Sequence, residues 1–283
     1  MNIEKLMDDM RNEYLYGKID IAKIVEELGS QGFIKLLLEN TGSPHSLLRE
    51  NILGLVEIDY LSHEDCIELL HAYLSEGHLF NGLGNKDGDT VFWRSFSSLC
   101  VGYFVSMGGE RNFLSQDQYM AALDKGLEYM SKEVDKRGFV MGKGWAHAVG
   151  HGADMLLALV KHAKFPMEYA DKVLGCIKFH VVSNDRFLDG EEKRLAKVVS
   201  ALIDKELGEE AITKWIDDLV PRARAKMYTD ESYEDVKMIF NVDYFLMSLH
   251  FALEEGVVSD NIRKYIKEFV ATLWRRAYSD EVV

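Results

Sequence analysis

Residues 89–134 read DTVFWRSFSSLCVGYFVSMGGERNFLSQDQYMAALDKGLEYMSKEV, two helix-length segments joined by a short polar link, and their reading decides the fold. The second segment opens on Ser115-Gln116-Asp117-Gln118, a capping box in which the first and fourth side chains satisfy each other's orphan backbone groups. The first opens on Asp89-Thr90, another residue pair suited to a helix start. Helices are therefore predicted over 90–107 and 116–134, the two arms of a hairpin.

The same chemistry recurs outward in both directions. Ser43-Pro44 supplies an N-cap followed by proline at the first helical position, where its missing N–H costs nothing. Ser62-His63-Glu64-Asp65 is a second capping box, and Asp189-Gly190 and Ser259-Asp260 mark further starts. Helices are expected near 2–16, 20–28, 31–40, 44–57, 62–76, 144–164, 167–182, 191–206, 208–219, 234–254 and 260–277. From residue 44 they fall into pairs whose first members begin near 44, 90, 144, 191 and 234, a spacing of 43 to 54 residues. Such a period belongs to HEAT-like helical hairpins that share one continuous core. An α/α toroid would read the same way. The chain is expected to be a single all-α domain over 1–283, with an irregular helical cap at 1–43 and about five hairpins over 44–283.

Composition agrees. Three prolines in 283 residues disfavour a loop-rich β fold, and 47% hydrophobic with 28% charged residues disfavours disorder. Lysine plus arginine number 33 against 47 acidic residues, a net charge of -14 that repels nucleic acid and anionic membranes. Cys66, Cys100 and Cys176 are odd in number and set in apolar runs, which fits a reducing cytoplasm better than a disulfide framework. No signal peptide is visible, and the longest uncharged stretch, Ser95–Gly109, is shorter than a bilayer span.

Chemistry concentrates in Gly142-Lys143-Gly144-Trp145-Ala146-His147-Ala148-Val149-Gly150-His151-Gly152-Ala153-Asp154. On a helix, His147, His151, Asp154, Ala158 and His162 form one stripe, and Val149, Ala153, Leu156 and Val160 form an opposite, core-facing one. Gly150 and Gly152 each cost about 1 kcal/mol against alanine inside a helix, which calls for close approach of a neighbouring helix or a ligand. The i, i+4 spacing of His147 and His151 suits a shared divalent metal. Asp154 would lie about 10 Å along the axis from His147, too far to share that metal, and is cast instead as the partner that orients His151. Asp135, Glu133, Asp243 and His250 are candidates for a third ligand. The plain alternative is that both histidines are structural.

Arg94 stands in an uncharged aromatic helix, with Ser98 and Gly102 on the same arc. A buried guanidinium needs a carboxylate or an anionic ligand. Asp135, Asp154 or Glu128 would make it a structural ion pair; a phosphate or carboxylate ligand would make it an anion clamp. Arg194, after Glu191-Glu192-Lys193, reads as mostly structural. Asp243, His250 and Glu254 share a helix face expected to be solvated, and Met238, Phe245 and Phe251 are expected in the core. There is no phosphate loop, nucleophile elbow or zinc-finger cysteine pairing.

Four segments, Asp89 to Ser97, Glu133 to Phe139, Gly144 to Asp154 and Gly190 to Leu195, resemble the ordered signatures of a bacterial family catalogued only as a domain of unknown function. The resemblance covers roughly residues 45–200, and Gly144-Trp145-Ala146-His147-Ala148 is its most specific part. The family pattern usually has alanine where this chain has Gly150. The resemblance implies a bacterial source and the grouping of these segments, and carries no activity.

Two functions follow as expectations. In the first, Arg94, Ser98, Asp135, Trp145 and Arg194 bind a small anionic molecule on the concave side, with His147, His151 and Asp154 as catalytic groups for a reaction such as hydrolysis. Histidine suits the role because it titrates near neutral pH. In the second, the chain is a non-enzymatic HEAT-like scaffold for another protein, and the same polar residues form a buried network that fixes helix packing.

Overall fold

The computed structural model describes residues 21–51, 54, 60–220, 233–253 and 257–278; the expected helix at 2–16 lies outside them. The chain is all-α, and its contacts divide it into two compact units, Met1–Lys164 and Phe165–Val283.

In the first unit the helices are α1 (Ile21–Asn40), α2 (Ser46–Asn51), α3 (His63–Tyr73), α4 (Thr90–Glu110), α5 (Gln116–Lys132) and α6 (Ala148–Lys161). The two helices expected at 20–28 and 31–40 are there, run together across a non-helical Gly29 at φ 69°. Both capping boxes form: Ser62 accepts from the Asp65 amide at 3.1 Å and Ser115 from the Gln118 amide at 3.2 Å, with the reciprocal bonds in place. Asp89 precedes α4 without capping it, because its carboxylate is taken by Lys143 Nζ at 2.6 and 2.8 Å.

The uncharged stretch of α4 is the centre of this unit. Its faces are buried nearly all round, and α4 packs most extensively on α6, with α3 and α5 also against it. Small residues permit the approach: a Cβ on Gly102 would stand 3.1 Å from the Met155 backbone. Tyr119 and Tyr129 of α5 donate to the carbonyls of Leu159 and Ala148, tying α5 to both ends of α6.

In the second unit a 3-10 turn at Met167–Tyr169 leads into α7 (Ala170–Val181), followed by α8 (Glu191–Asp204), α9 (Glu209–Asp217), α10 (Tyr233–Ala252) and α11 (Val257–Tyr278). Here α8 packs on α10, and α9 on α11. Within each unit, first helices of successive pairs thus lie side by side, α4 on α6 and α8 on α10. These stacked antiparallel helix-pair contacts are those of a HEAT-like, α-solenoid arrangement.

One expectation is corrected. The helix predicted from residue 144 starts at Ala148, and before it the chain forms a small antiparallel pair, β1 (Phe139–Val140) with β2 (Gly144–Trp145). Gly142 and Gly144, at φ 76° and 77°, supply the backbone this tight reversal needs. A second correction concerns Phe251, expected in the core with Met238 and Phe245: those two are buried, but Phe251 is 82% exposed.

Candidate functional site

Arg94 is completely buried and its guanidinium is the hub of an ion network. Nε donates to Glu133 Oε2 at 2.5 Å and Nη2 to Glu133 Oε1 at 3.0 Å, a bidentate fork. Nη2 also donates to the Asn85 carbonyl at 3.0 Å, and Nη1 to Thr90 Oγ1 at 3.1 Å and the Asn81 carbonyl at 3.5 Å. All of its N–H donors therefore have acceptors within the protein. The principal partner is Glu133, first weighed as a metal ligand; Asp135 lies 3.9 Å from Nη2 as a secondary one.

Asp135, also buried, carries the network onward. It accepts the Asp87 amide at 3.2 Å and the Arg137 amide at 3.1 Å, and pairs with the Arg137 side chain, Nη2 to Oδ2 at 2.6 Å. The Asp135 hydrogen bonds push the Arg137 pKa up further. Segment 133–137 is thus fastened to the loop before α4 through carboxylates.

The same segment positions the histidines. The His147 amide donates to the Arg137 carbonyl and the Ala146 amide to the Gly138 carbonyl, both at 2.9 Å, which continues the β1–β2 pairing up to the first turn of α6. His147 sits just ahead of α6 in a left-handed conformation, φ 50° and ψ 35°, so it is not a helical residue as the stripe reading required. That stripe is corrected more broadly, since α6 is buried on most of its surface and has no imidazole face turned to solvent.

His147 and His151 are both buried, with stacked rings 5.3 Å apart and 22° from parallel. The stack extends into a ladder. Trp145 lies 5.1 Å from His147, Phe139 packs edge-on against Trp145, and Phe96 packs edge-on against His151 at 5.0 Å. Near-parallel rings aim their in-plane lone pairs side by side rather than at one point. Among the described residues no group of three or more His, Cys, Asp or Glu is arranged to hold a metal ion.

Ser95, which sequence reasoning passed over, fixes the state of His151. Its hydroxyl donates to the Ala146 carbonyl, so at 2.9 Å it must accept from His151 Nδ1–H. Ser98 donates to the Ser95 carbonyl at 2.6 Å, within α4. Asp154 is half-buried on α6, a turn beyond His151. Arg194 is half-buried on α8, in the second unit.

The glycine question is answered by neighbours. A Cβ on Gly150 would overlap the His147 imidazole, and one on Gly152 would overlap Met130 of α5.

A second buried arginine, Arg49, had no sequence signal at all. It lies in α2 with its guanidinium carbon 4.1 Å from the Phe92 ring centroid. Nη1 donates to the Ser43 carbonyl at 2.7 Å, and Nη2 to the Lys143 carbonyl and, at 3.5 Å, to that of Trp145. Burial lowers its pKa to about 10, against the pull of Glu50 and Asp89. Glu50 joins in by accepting the Trp145 amide at 3.1 Å. Backbone acceptors leave no pattern in side-chain identities, which is why Arg49 escaped notice.

Residues 79–251, well over half of the chain, match the family described as Protein of unknown function (DUF2785). The chain belongs to this family. The DUF2785 match contains the Arg94–Glu133–Asp135 network and the ring ladder from Phe96 to His151, whereas Arg49 and α11 fall outside it. No curated protein and no solved structure matches the chain. What this DUF2785 member displays is a helical-repeat fold around a buried network of arginine, glutamate, aspartate and histidine.

Proposed function

We propose that this protein is a non-enzymatic helical-repeat scaffold that binds another protein, and that its polar cluster serves to fix helix packing. The observation that carries this reading is the saturation of Arg94. A guanidinium whose every N–H already meets a protein acceptor offers nothing to a phosphate or carboxylate, and the adjoining imidazoles are enclosed in a ring stack. The competing reading, a small anionic ligand site with His147 and His151 as general base or metal ligands and Asp154 orienting them, would require that network to open. The three cysteines are buried and form no disulfide, which favours a reducing cytoplasm. No helix among the described residues is long and apolar enough to cross a membrane.

The test has two arms. His151→Ala and Arg94→Lys are expected to lower the melting temperature, as structural groups must. A thermal-shift screen of anionic metabolites and divalent metals is expected to find none that stabilises the protein in a way that Arg94→Lys or His151→Ala abolishes. A compound that does so overturns the scaffold reading, because a specific ligand at 100 times its Kd stabilises the native state by about 2.7 kcal/mol.

A further inference from the structure

The second unit keeps an apolar channel open between its last two helices. It has a volume of about 500 Å³ and is lined by Met247, His250 and Phe251 of α10 and by Lys267, Val270 and Trp274, among others, of α11. The spacings are i, i+3, i+4 on one wall and i, i+3, i+7 on the other, so two helical stripes face one trough. Phe251 is 82% exposed, Trp274 52% and Met247 40%, in a place where the outermost helices of a stacked repeat ordinarily turn a polar face to water. A trough bounded by two helices has the form that accepts a third one, through apolar anchors at i, i+3 or i+4, and i+7.

Charge narrows the occupant. Among the described residues, the charged or imidazole side chains lining the channel are Lys267, a cation, and His250, whose ring Nδ1 is hydrogen-bonded to the Arg263 carbonyl at 3.3 Å. Among the described residues no carboxylate is part of the lining, although Asp243 accepts from Nε1 of the lining Trp274 at 3.1 Å and acids outnumber bases 47 to 33 in the chain. The neighbouring residue Glu268 lines a different groove, on the other side of α11 with Asp217 and Tyr265. The α11 helix thus separates an acidic groove from a basic one. A second copy in a two-fold arrangement would offer the same patch, whose described lining holds a lysine and no carboxylate. An anionic bilayer, being extended, would meet the whole surface and its net charge of -14. A short helix instead feels the channel locally, within the Debye length of about 8 Å.

We infer that the α10–α11 channel receives an amphipathic helix of a partner protein, apolar on the inserted face and acidic along the edge beside Lys267. This deepens the scaffold reading and rests on it. The test uses the full chain as bait for a displayed library of random 18-residue peptides. Enriched sequences should carry apolar residues at helical spacing and a net negative charge. A labelled peptide made from them should lose at least about thirtyfold in affinity on Phe251→Ser, a loss of hot-spot size. It should also weaken with Lys267→Glu and with added salt. Phe251 and Lys267 lie at the surface, so circular dichroism should show both variants folded.

The inference is overturned if no peptide is enriched, if the enriched peptides are basic or lack helical periodicity, or if their binding survives Phe251→Ser. It is equally overturned if that substitution abolishes self-association in sedimentation or co-flotation with phosphatidylserine vesicles, which would give the channel to a second copy or to a membrane. Peptides that bind but ignore Phe251→Ser sink the channel and leave the scaffold standing. The scaffold itself fails only in the separate anion screen.

Discussion

Glu133→Gln is the most informative single change. It removes the carboxylate charge while keeping the side chain's size, and it turns an amide N–H₂ toward a guanidinium that already consists of donors. In the native protein Glu133 accepts from Arg94 at 2.5 and 3.0 Å and from the Asp135 amide at 2.8 Å, with both charged side chains fully buried. Removing one partner of a buried ion pair costs about 3–5 kcal/mol, because the surviving charge is left uncompensated. At about 2–4 °C per kcal/mol for a domain of this size, the melting temperature should fall by about 6–20 °C. The double variant Arg94→Met, Glu133→Leu deletes both charges and should recover most of that loss, since apolar replacement of a whole buried pair is often neutral or stabilising. Calorimetry or chemical denaturation on wild type, Arg94→Met, Glu133→Leu and the double variant gives the coupling energy directly. A Glu133→Gln protein within about 1 kcal/mol of wild type would refute the reasoning, because it would mean that water or another group compensates Arg94.

Arg49→Met should cost about 2–4 kcal/mol by stripping donors from three carbonyls and removing the cation from Phe92, and limited proteolysis should then cut faster between residues 138 and 147. Gly150→Ala should destabilise the wild type by displacing the His147 ring, yet stabilise a His147→Ala background by about 1 kcal/mol, the helix preference of alanine over glycine; additive melting shifts would refute the overlap. Asp243 has one oxygen bonded to Trp274 Nε1 at 3.1 Å and the other buried without a partner. Burial raises its pKa, opposed by the Trp274 bond, so the folded state binds the proton more tightly than the unfolded one. Its contribution is therefore fully present below the ordinary aspartate value and lost as pH rises through the raised one. Asp243→Asn should melt above wild type at neutral pH, with the gap closing toward acid.

What the sequence disclosed was local chemistry. Ser62 and Ser115 announce helix starts because their partners lie three residues away, and the pairing of helices follows from the spacing of those starts. Arg94 announced its need for a carboxylate, but the candidates were Asp135, Asp154 and Glu128, and the main partner proves to be Glu133, weighed only as a metal ligand, because the path of the chain past α5 makes the choice. His147 misled, because its i, i+4 relation to His151 is real while its backbone is left-handed. A histidine at φ 50° is held there by the amide bond to Arg137 and by the β1–β2 reversal, neither of which has a signature in spacing. Phe251 misled in the opposite sense, since apolar periodicity cannot tell a face that is covered from one that awaits cover.

The Arg49 clasp also bears on how the protein can be cut. Its bond to the Lys143 carbonyl spans 94 residues of chain. A fragment trimmed to the matched span, 79–251, would contain every member of the Arg94 network and yet leave the strand reversal that presents His147 without its guanidinium strap. Such a fragment should express as a looser body, with amides around Lys143 and Trp145 exchanging early with solvent. The boundary that similarity draws and the boundary that folding requires are different here, and the gap between them runs from residue 79 back past Arg49.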